Sequence, residues 1–194
     1  MSHLDEKITK HKALKLWDTV KLEEIDVGTV KGLQAIHEYL FEDLEGYEAG
    51  RIRDVNISKG NFRFARAIYL NEALKVVEQM PENTFEEIID KYVEMNVAHP
   101  FREGNGRATR IWLDQILRKS IKKCIDWSVI NKNDYLHFME LSPVEGKYIK
   151  SLLKEELTEE IVSRMVYMKG IDRSYEYEEE NSISIFEIDD AEEM

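Results

Sequence analysis

A base, a carboxylate, a glycine-rich turn and two arginines fall within one short run of this chain, His99-Pro-Phe-Arg-Glu-Gly-Asn-Gly-Arg-Ala-Thr-Arg110. Gly104-Asn105-Gly106 stands just ahead of a helical pattern. Its backbone N–H groups are therefore free to point outward with the positive end of the helix dipole behind them, which makes an anion site. Glycine permits close approach of backbone to phosphate, and consecutive amides can form a nest. The Gly-Lys-Ser/Thr ending of a Walker A loop is missing. Arg107 and Arg110 bring fixed positive charge and bidentate donors, suited to the outer phosphates of a nucleotide. Glu103 can hold Mg²⁺ between phosphates, because Mg²⁺ takes one or two carboxylates together with substrate oxygens. His99 is the candidate general base: imidazole titrates near neutral pH and can take the proton of a hydroxyl that attacks phosphorus. Each residue alone has a plainer reading, a core histidine, a solvated arginine face, a loop glutamate. Their crowding is what points to phosphate chemistry. The other histidines, His3, His11, His37 and His137, form no pair with zinc-ligand spacing.

The elements around this run are legible from periodicity. Thr84-Phe-Glu-Glu87 is a capping box, and Phe85, Ile88, Ile89, Tyr92 and Met95 follow at helical spacing, which predicts a helix over 85–98. One more turn of that face reaches His99, and Pro100 limits further helix. A second helix over 106–119 carries Ala108, Trp112, Ile116 and Leu117 on one face and Arg107, Arg110 and Asp114 on another, so the two arginines are neighbours. Helical patterns also run over 10–19, 29–44, 132–141, 145–154 and 158–168. Residues 54–64 alternate polar with β-branched or aromatic residues around Gly60, the signal of a short β-hairpin.

The chain has 194 residues, of which 43% are hydrophobic and 10% aromatic, enough for one domain with a packed core. With only 9 Gly and 3 Pro among strong helix formers, the bulk should be α. The net charge of −12 disfavours nonspecific nucleic-acid binding. The single Cys124 cannot form an internal disulfide and reads as a buried small hydrophobe. No stretch approaches the roughly 20 apolar residues of a membrane span, and the polar N-terminus lacks a signal-peptide core, so a cytoplasmic location without membrane partners is expected. Acidic residues crowd the end of the chain. Residues 1–180 are read as one domain and 181–194 as an acidic, solvated tail.

The string His-Pro-Phe-x-Glu-Gly-Asn-Gly-Arg-x-x-Arg at 99–110 resembles the signature of the Fic family, whose members mostly transfer AMP from ATP to a hydroxyl side chain of a target protein. The resemblance implies an all-α fold, a Fic-type helical domain with a short β-hairpin flap over the active site. It implies a catalytic role for His99, a metal role for Glu103 and nucleotide contacts from Gly104, Asn105, Gly106, Arg107 and Arg110. Mg²⁺ is the implied cofactor, with ATP and a target protein as partners. The flap, about 57–64, would clamp the target backbone by strand addition, with Lys59 and Gly60 closest to nucleotide or target. The adenine pocket would lie on the following helix at Tyr135 and Met139, for which plain core packing is the other reading.

Some family members carry a helix with the pattern Ser/Thr-x-x-x-Glu-Gly/Asn whose glutamate pairs with the second arginine of the signature. Ser174-Tyr-Glu-Tyr-Glu178 matches it in part, with Glu179 where Gly or Asn is usual. The resemblance thus implies an inhibitory helix near 172–179 in which Glu178 pairs with Arg110. Tyr175 and Tyr177 are candidates for self-modification once that helix is released. Removal of AMP, transfer of another phosphate-containing group, and a noncatalytic nucleotide-binding or toxin-type role remain alternatives on the same residues. A homo-oligomer covering the C-terminal helix would make concentration a regulator.

Overall fold

The helix that carries the two arginines is surrounded. In the computed structural model, which describes residues 2–19, 21–60, 62–178 and 182–190, α6 (Asn105–Ile121) buries residues on all sides, with Trp112, Leu113, Ile116 and Leu117 fully enclosed. Around it pack α3 (Val30–Phe41), α5 (Phe85–Ala98) and α9 (Arg164–Glu176). Ahead of these come α1 (His3–Asp18) and the short α2 (Lys21–Glu24); β1 (Ser58–Lys59), β2 (Phe62–Arg63) and α4 (Ala67–Glu78) lie between α3 and α5. After α6 follow β3 (Cys124–Ile125), a 3-10 turn at Trp127–Val129, α7 (Lys132–Leu141), α8 (Lys147–Glu155) and β4 (Leu157–Thr158); α10 (Ile185–Asp190) comes after α9. The architecture is all-α with a small β-hairpin. Among the described residues no helix is long and apolar enough to cross a membrane.

Local chemistry explains most boundaries. The capping box of α5 is formed in both directions: Glu87 N–H donates to Thr84 Oγ1 (3.3 Å) and Thr84 N–H to Glu87 Oε2 (3.1 Å). A second box, Ser2 with Asp5, starts α1 well before residue 10, where the apolar pattern alone placed it. In the hairpin Ser58 pairs with Arg63 and Lys59 with Phe62, and Gly60 turns at φ +57°. The polar edge of Trp112 is satisfied by donation to the Thr29 carbonyl (3.0 Å).

Three features depart from the sequence reading. Helix α4 was not anticipated, although its buried Leu70, Leu74 and Val77 stand at i, i+4 and i+7. The helix expected over 158–168 begins only at Arg164, capped by Ser163, because residues 157–158 pair instead with β3. It then continues through Gly170 to Glu176, and Glu178 falls in the turn beyond the helix rather than inside one. Gly170 is tolerated because its bare Cα lies against Trp127, where an added Cβ would come within 3.2 Å of the ring. Glu179 and residues 191–194 lie outside the described residues.

Residues 182–190, read above as part of a solvated tail, are docked. Lys10, wholly buried on α1, donates to Asp172 Oδ1 (2.8 Å), to Ser182 Oγ (2.8 Å) and to the Ile183 carbonyl, and lies 3.2 Å from Glu6 Oε1. Arg164 bridges Asp18 and Asp189. Ile185 is fully buried. Removing one member of a buried ion cluster strands the others, so Lys10→Met is expected to lower stability by about 3–5 kcal/mol. Urea denaturation measures this, and amide exchange should show faster opening of residues 182–190.

Candidate active site

His99 sits at the C-terminal cap of α5 in the left-handed region (φ 49°, ψ 66°), an uncommon conformation that histidine adopts more readily than most residues. Its N–H closes the helix on Met95 (2.9 Å), and Pro100 blocks continuation. The ring stacks on Phe64 of the flap, with centroids 3.6 Å apart. Nδ1 is 3.3 Å from the Asn96 carbonyl, which can only accept, so Nδ1 carries the hydrogen and Nε2 is left with its lone pair. Burial pushes the imidazole pKa down to about 4 against the opposing pull of that carbonyl and of Glu178. At neutral pH the ring is an uncharged acceptor.

The turn ahead of α6 is built for close approach. Gly104 has φ +74°, and an added Cβ would lie 2.5 Å from Phe41. No side chain caps the helix there, which leaves the first backbone N–H groups aimed at the cleft. The Asn105 side chain is tied to Phe101: Oδ1 accepts from Phe101 N–H (2.8 Å) and Nδ2 donates to the Phe101 carbonyl (2.7 Å). It braces the loop with one of its two amide hydrogens while lining the cleft.

Arg107 and Arg110 are each 5% exposed, not members of a solvated face. Both meet Glu178: Arg107 Nε is 3.0 Å from Oε2, and Arg110 Nη2 is 3.2 Å from Oε1. The glutamate side chain keeps 26% of its surface exposed while its carboxylate is lodged between two buried guanidinium groups. Burial alone would raise its pKa, but Arg107, then Arg110 and Lys59, hold it below the usual carboxylate range. Gly106 makes this approach possible, since a Cβ there would stand 2.5 Å from Glu178 Oε1. Arg110 is further held by Ser174, through Oγ (2.6 Å) and the carbonyl (2.8 Å). Tyr135 and Tyr177 stack at 4.5 Å beside it, and the Tyr135 hydroxyl lies 2.5 Å from that of Tyr92. Tyr175 and Tyr177 are both buried in this state, 3% and 2% exposed.

A cleft of about 770 Å³ is lined by His99, Glu103, the 104–106 turn and Arg110, with Lys59 and Gly60 on the flap side and Tyr135 and Met139 opposite. Arg107 lies behind it, over the Phe41 ring. Among the described residues no three His, Cys, Asp or Glu side chains stand close enough to cage a metal by themselves. An exposed Glu103 beside an anion cradle suits a Mg²⁺ whose remaining ligands are phosphate oxygens and water.

Two positioning residues escaped the sequence reading. Arg53, 2% exposed, donates to the carbonyls of His99 (2.7 Å), Val55 (2.6 Å), Ala65 (2.6 Å) and Ala98 (3.0 Å), tying both stems of the flap to the end of α5. Nothing in its local sequence announces this. His37 lies on the apolar face of α3 with Leu33, Ile36, Leu40 and Phe41, which offered a signal. Its Nδ1 accepts from Gly50 N–H (2.9 Å), so Nε2 donates to the Glu103 carbonyl (2.8 Å) and steadies the loop. Burial holds His37 down to about 4. Because the unfolded chain binds these protons near pH 6.5, stability should be full above that pH and fall progressively as pH drops toward 4. Urea midpoints at pH 7 and pH 5 test the sign, and His37→Gln should shrink the difference.

Comparison with known proteins agrees with the geometry. Residues 28–117 match the Fic/DOC family. The chain is a Fic/DOC homologue. It is 32% identical over 151 residues to the protein adenylyltransferase VbhT of Bartonella schoenbuchensis, covering 69% of this chain and 30% of that protein. It is 34% identical over 101 residues to the probable protein adenylyltransferase Fic of Salmonella typhimurium, covering 45% and 50%. This Fic/DOC homologue thus spans half or less of the length of these curated relatives. Its fold is shared with the N-terminal Fic domain of a VirB-translocated effector from Bartonella sp. AR 15-3 (TM-score 0.66, 20% identity, 82% of this chain and 84% of that one). BepC of Bartonella tribocorum, solved with bound AMPPNP, gives a TM-score of 0.61 at 20% identity, covering 77% and 84%.

Proposed function

We propose that this Fic/DOC homologue transfers AMP from ATP to a Ser, Thr or Tyr hydroxyl of a target protein and restrains itself through Glu178. The observation that carries the reading is a neutral, flap-stacked His99 sharing one cleft with an uncapped helix N-terminus and the buried Arg110, with Arg107 directly behind. The nucleotide triphosphate rests its phosphates on the 104–106 amides, with Arg107 and Arg110 drawing the outer phosphates. The target strand lies along the flap near Lys59 and Gly60. Its hydroxyl oxygen attacks the α phosphorus as His99 Nε2 takes the proton, and the bond from that phosphorus to the bridging oxygen breaks, releasing pyrophosphate. Mg²⁺, held by Glu103 together with phosphate oxygens, supplies charge neutralisation when bound. Most of the acceleration comes from positioning and fixed charge. Adenine stacks near Tyr135 and Met139.

Glu178 restrains the reaction by occupying the guanidinium groups that the outer phosphates need. Ser174 supports it by fixing Arg110 toward the same turn. Intact mass of the Glu178→Gly protein after incubation with ATP and Mg²⁺, alone and with cell-extract proteins, tests the reading. A gain of one AMP mass on the chain or on a recovered target is expected, lost when Mg²⁺ is chelated. Absence of any adduct, with nucleotide bound, would overturn it.

A further inference from the structure

In a chain of net charge −12, residues 51–66 carry Arg51, Arg53, Lys59, Arg63 and Arg66 against one acid, Asp54. Arg53 is buried on backbone carbonyls, and Arg51 is engaged with Glu48 and Asp54. Lys59, Arg63 and Arg66 are exposed, and the side chains of Arg63 and Arg66 make no hydrogen bond or ion pair among the described residues. Folding does not account for them. Arg66 even stands at the N-cap of α4, with no acid in the first turn, where the helix dipole disfavours a cation.

The hairpin is a two-stranded sheet, so each strand has an unpaired outer edge. A peptide added to such an edge alternates its side chains between the two faces. Phe62 and Phe64 face the cleft, and Arg63 between them takes the opposite face. A target residue whose hydroxyl points into the cleft therefore presents its immediate neighbours to the Arg63 side.

We propose that the flap selects target segments in which the acceptor hydroxyl is flanked by acidic residues, read by Arg63 on the outer face, with Arg66 at the start of α4 and Lys59 at the cleft rim adding positive charge. This rests on the transferase reading and adds a substrate class to it. Exposed charge pairs are individually weak, so selection comes from several acting together and fades with salt.

Strand-length peptides with a central Thr flanked by Glu, Ala or Lys, offered to the Glu178→Gly protein with ATP and Mg²⁺, test it. The expected order in kcat/KM is Glu, then Ala, then Lys, with roughly tenfold between the extremes at low salt and less at high salt. The pair Arg63→Glu and Arg66→Glu should invert the order, and the milder Arg63→Gln and Arg66→Gln pair should flatten it, with thermal unfolding showing both folded. A flat order in the parent, or an unchanged order in the charge-reversed protein, overturns the proposal. Anisotropy of the labelled Glu-flanked peptide on the wild-type chain reads the surface independently of chemistry. Acid-selective binding that Arg63→Glu and Arg66→Glu abolish, without any transfer, supports the surface while removing the transferase reading. Transfer without charge preference does the reverse. Tighter binding of a single-stranded oligonucleotide than of the Glu-flanked peptide overturns the proposal in favour of nucleic acid.

Discussion

Replacing His99 in the Glu178→Gly background is expected to slow AMP transfer by about 10²–10⁴-fold, the range lost with a general base, while nucleotide binding is nearly unchanged. The geometry sets the choice of variants. His99 holds φ 49°, so His99→Ala both removes the base and strains the backbone, whereas His99→Asn removes the base and tolerates that conformation. Equal loss in the two variants assigns the effect to the imidazole. Truncation also uncovers Phe64, so thermal unfolding should accompany the kinetics. Single-turnover rates with saturating ATP are the measurement, and a rate within tenfold of the parent in His99→Asn would remove His99 from the role of base.

Glu178→Gly is expected to raise the transfer rate of the wild-type chain by roughly 5–150-fold, the usual range of a coupling between two states. Freeing Arg107 and Arg110 also changes stability. Two buried guanidinium groups lose their carboxylate, so the nucleotide-free variant should melt below wild type. The nucleotide's phosphates replace the missing charge, so ATP with Mg²⁺ should raise the melting temperature more in the variant than in wild type. Differential scanning calorimetry with and without nucleotide reads both signs. A variant as slow as wild type, with the same nucleotide-induced shift, would sink the restraint by Glu178. Glu178→Gln keeps the shape without the charge and should fall between the two.

The helical fold was readable because its cues are local. The Thr84–Glu87 box, the α5 stripe and the apolar face of α6 each depend on residues within a few turns of one another. Where the cue was weaker the reading slipped. The run over 158–168 carried helical periodicity, but Leu157 and Thr158 pair with β3, and the helix that starts at Arg164 passes through Gly170, against which Trp127 packs. Residues 182–190 looked like a solvated tail because their acids are obvious in the sequence, while the buried Lys10 and the bridging Arg164 that receive them come from elsewhere in the chain.

By itself the sequence determined the order and spacing of His99, Glu103, the glycine turn and the two arginines, because those groups are neighbours along one helix junction and need no long-range contact to be assembled. The tertiary structure decided what state they are in. Burial makes His99 an uncharged acceptor, Arg53 reaches from the flap stem to hold its backbone, and His37 fixes the Glu103 loop from another helix. Glu178 meets Arg110 from 68 residues away, and it meets Arg107 as well. Desolvation and the identity of a charge's partner are properties of packed, distant segments, and no local pattern of residues encodes them.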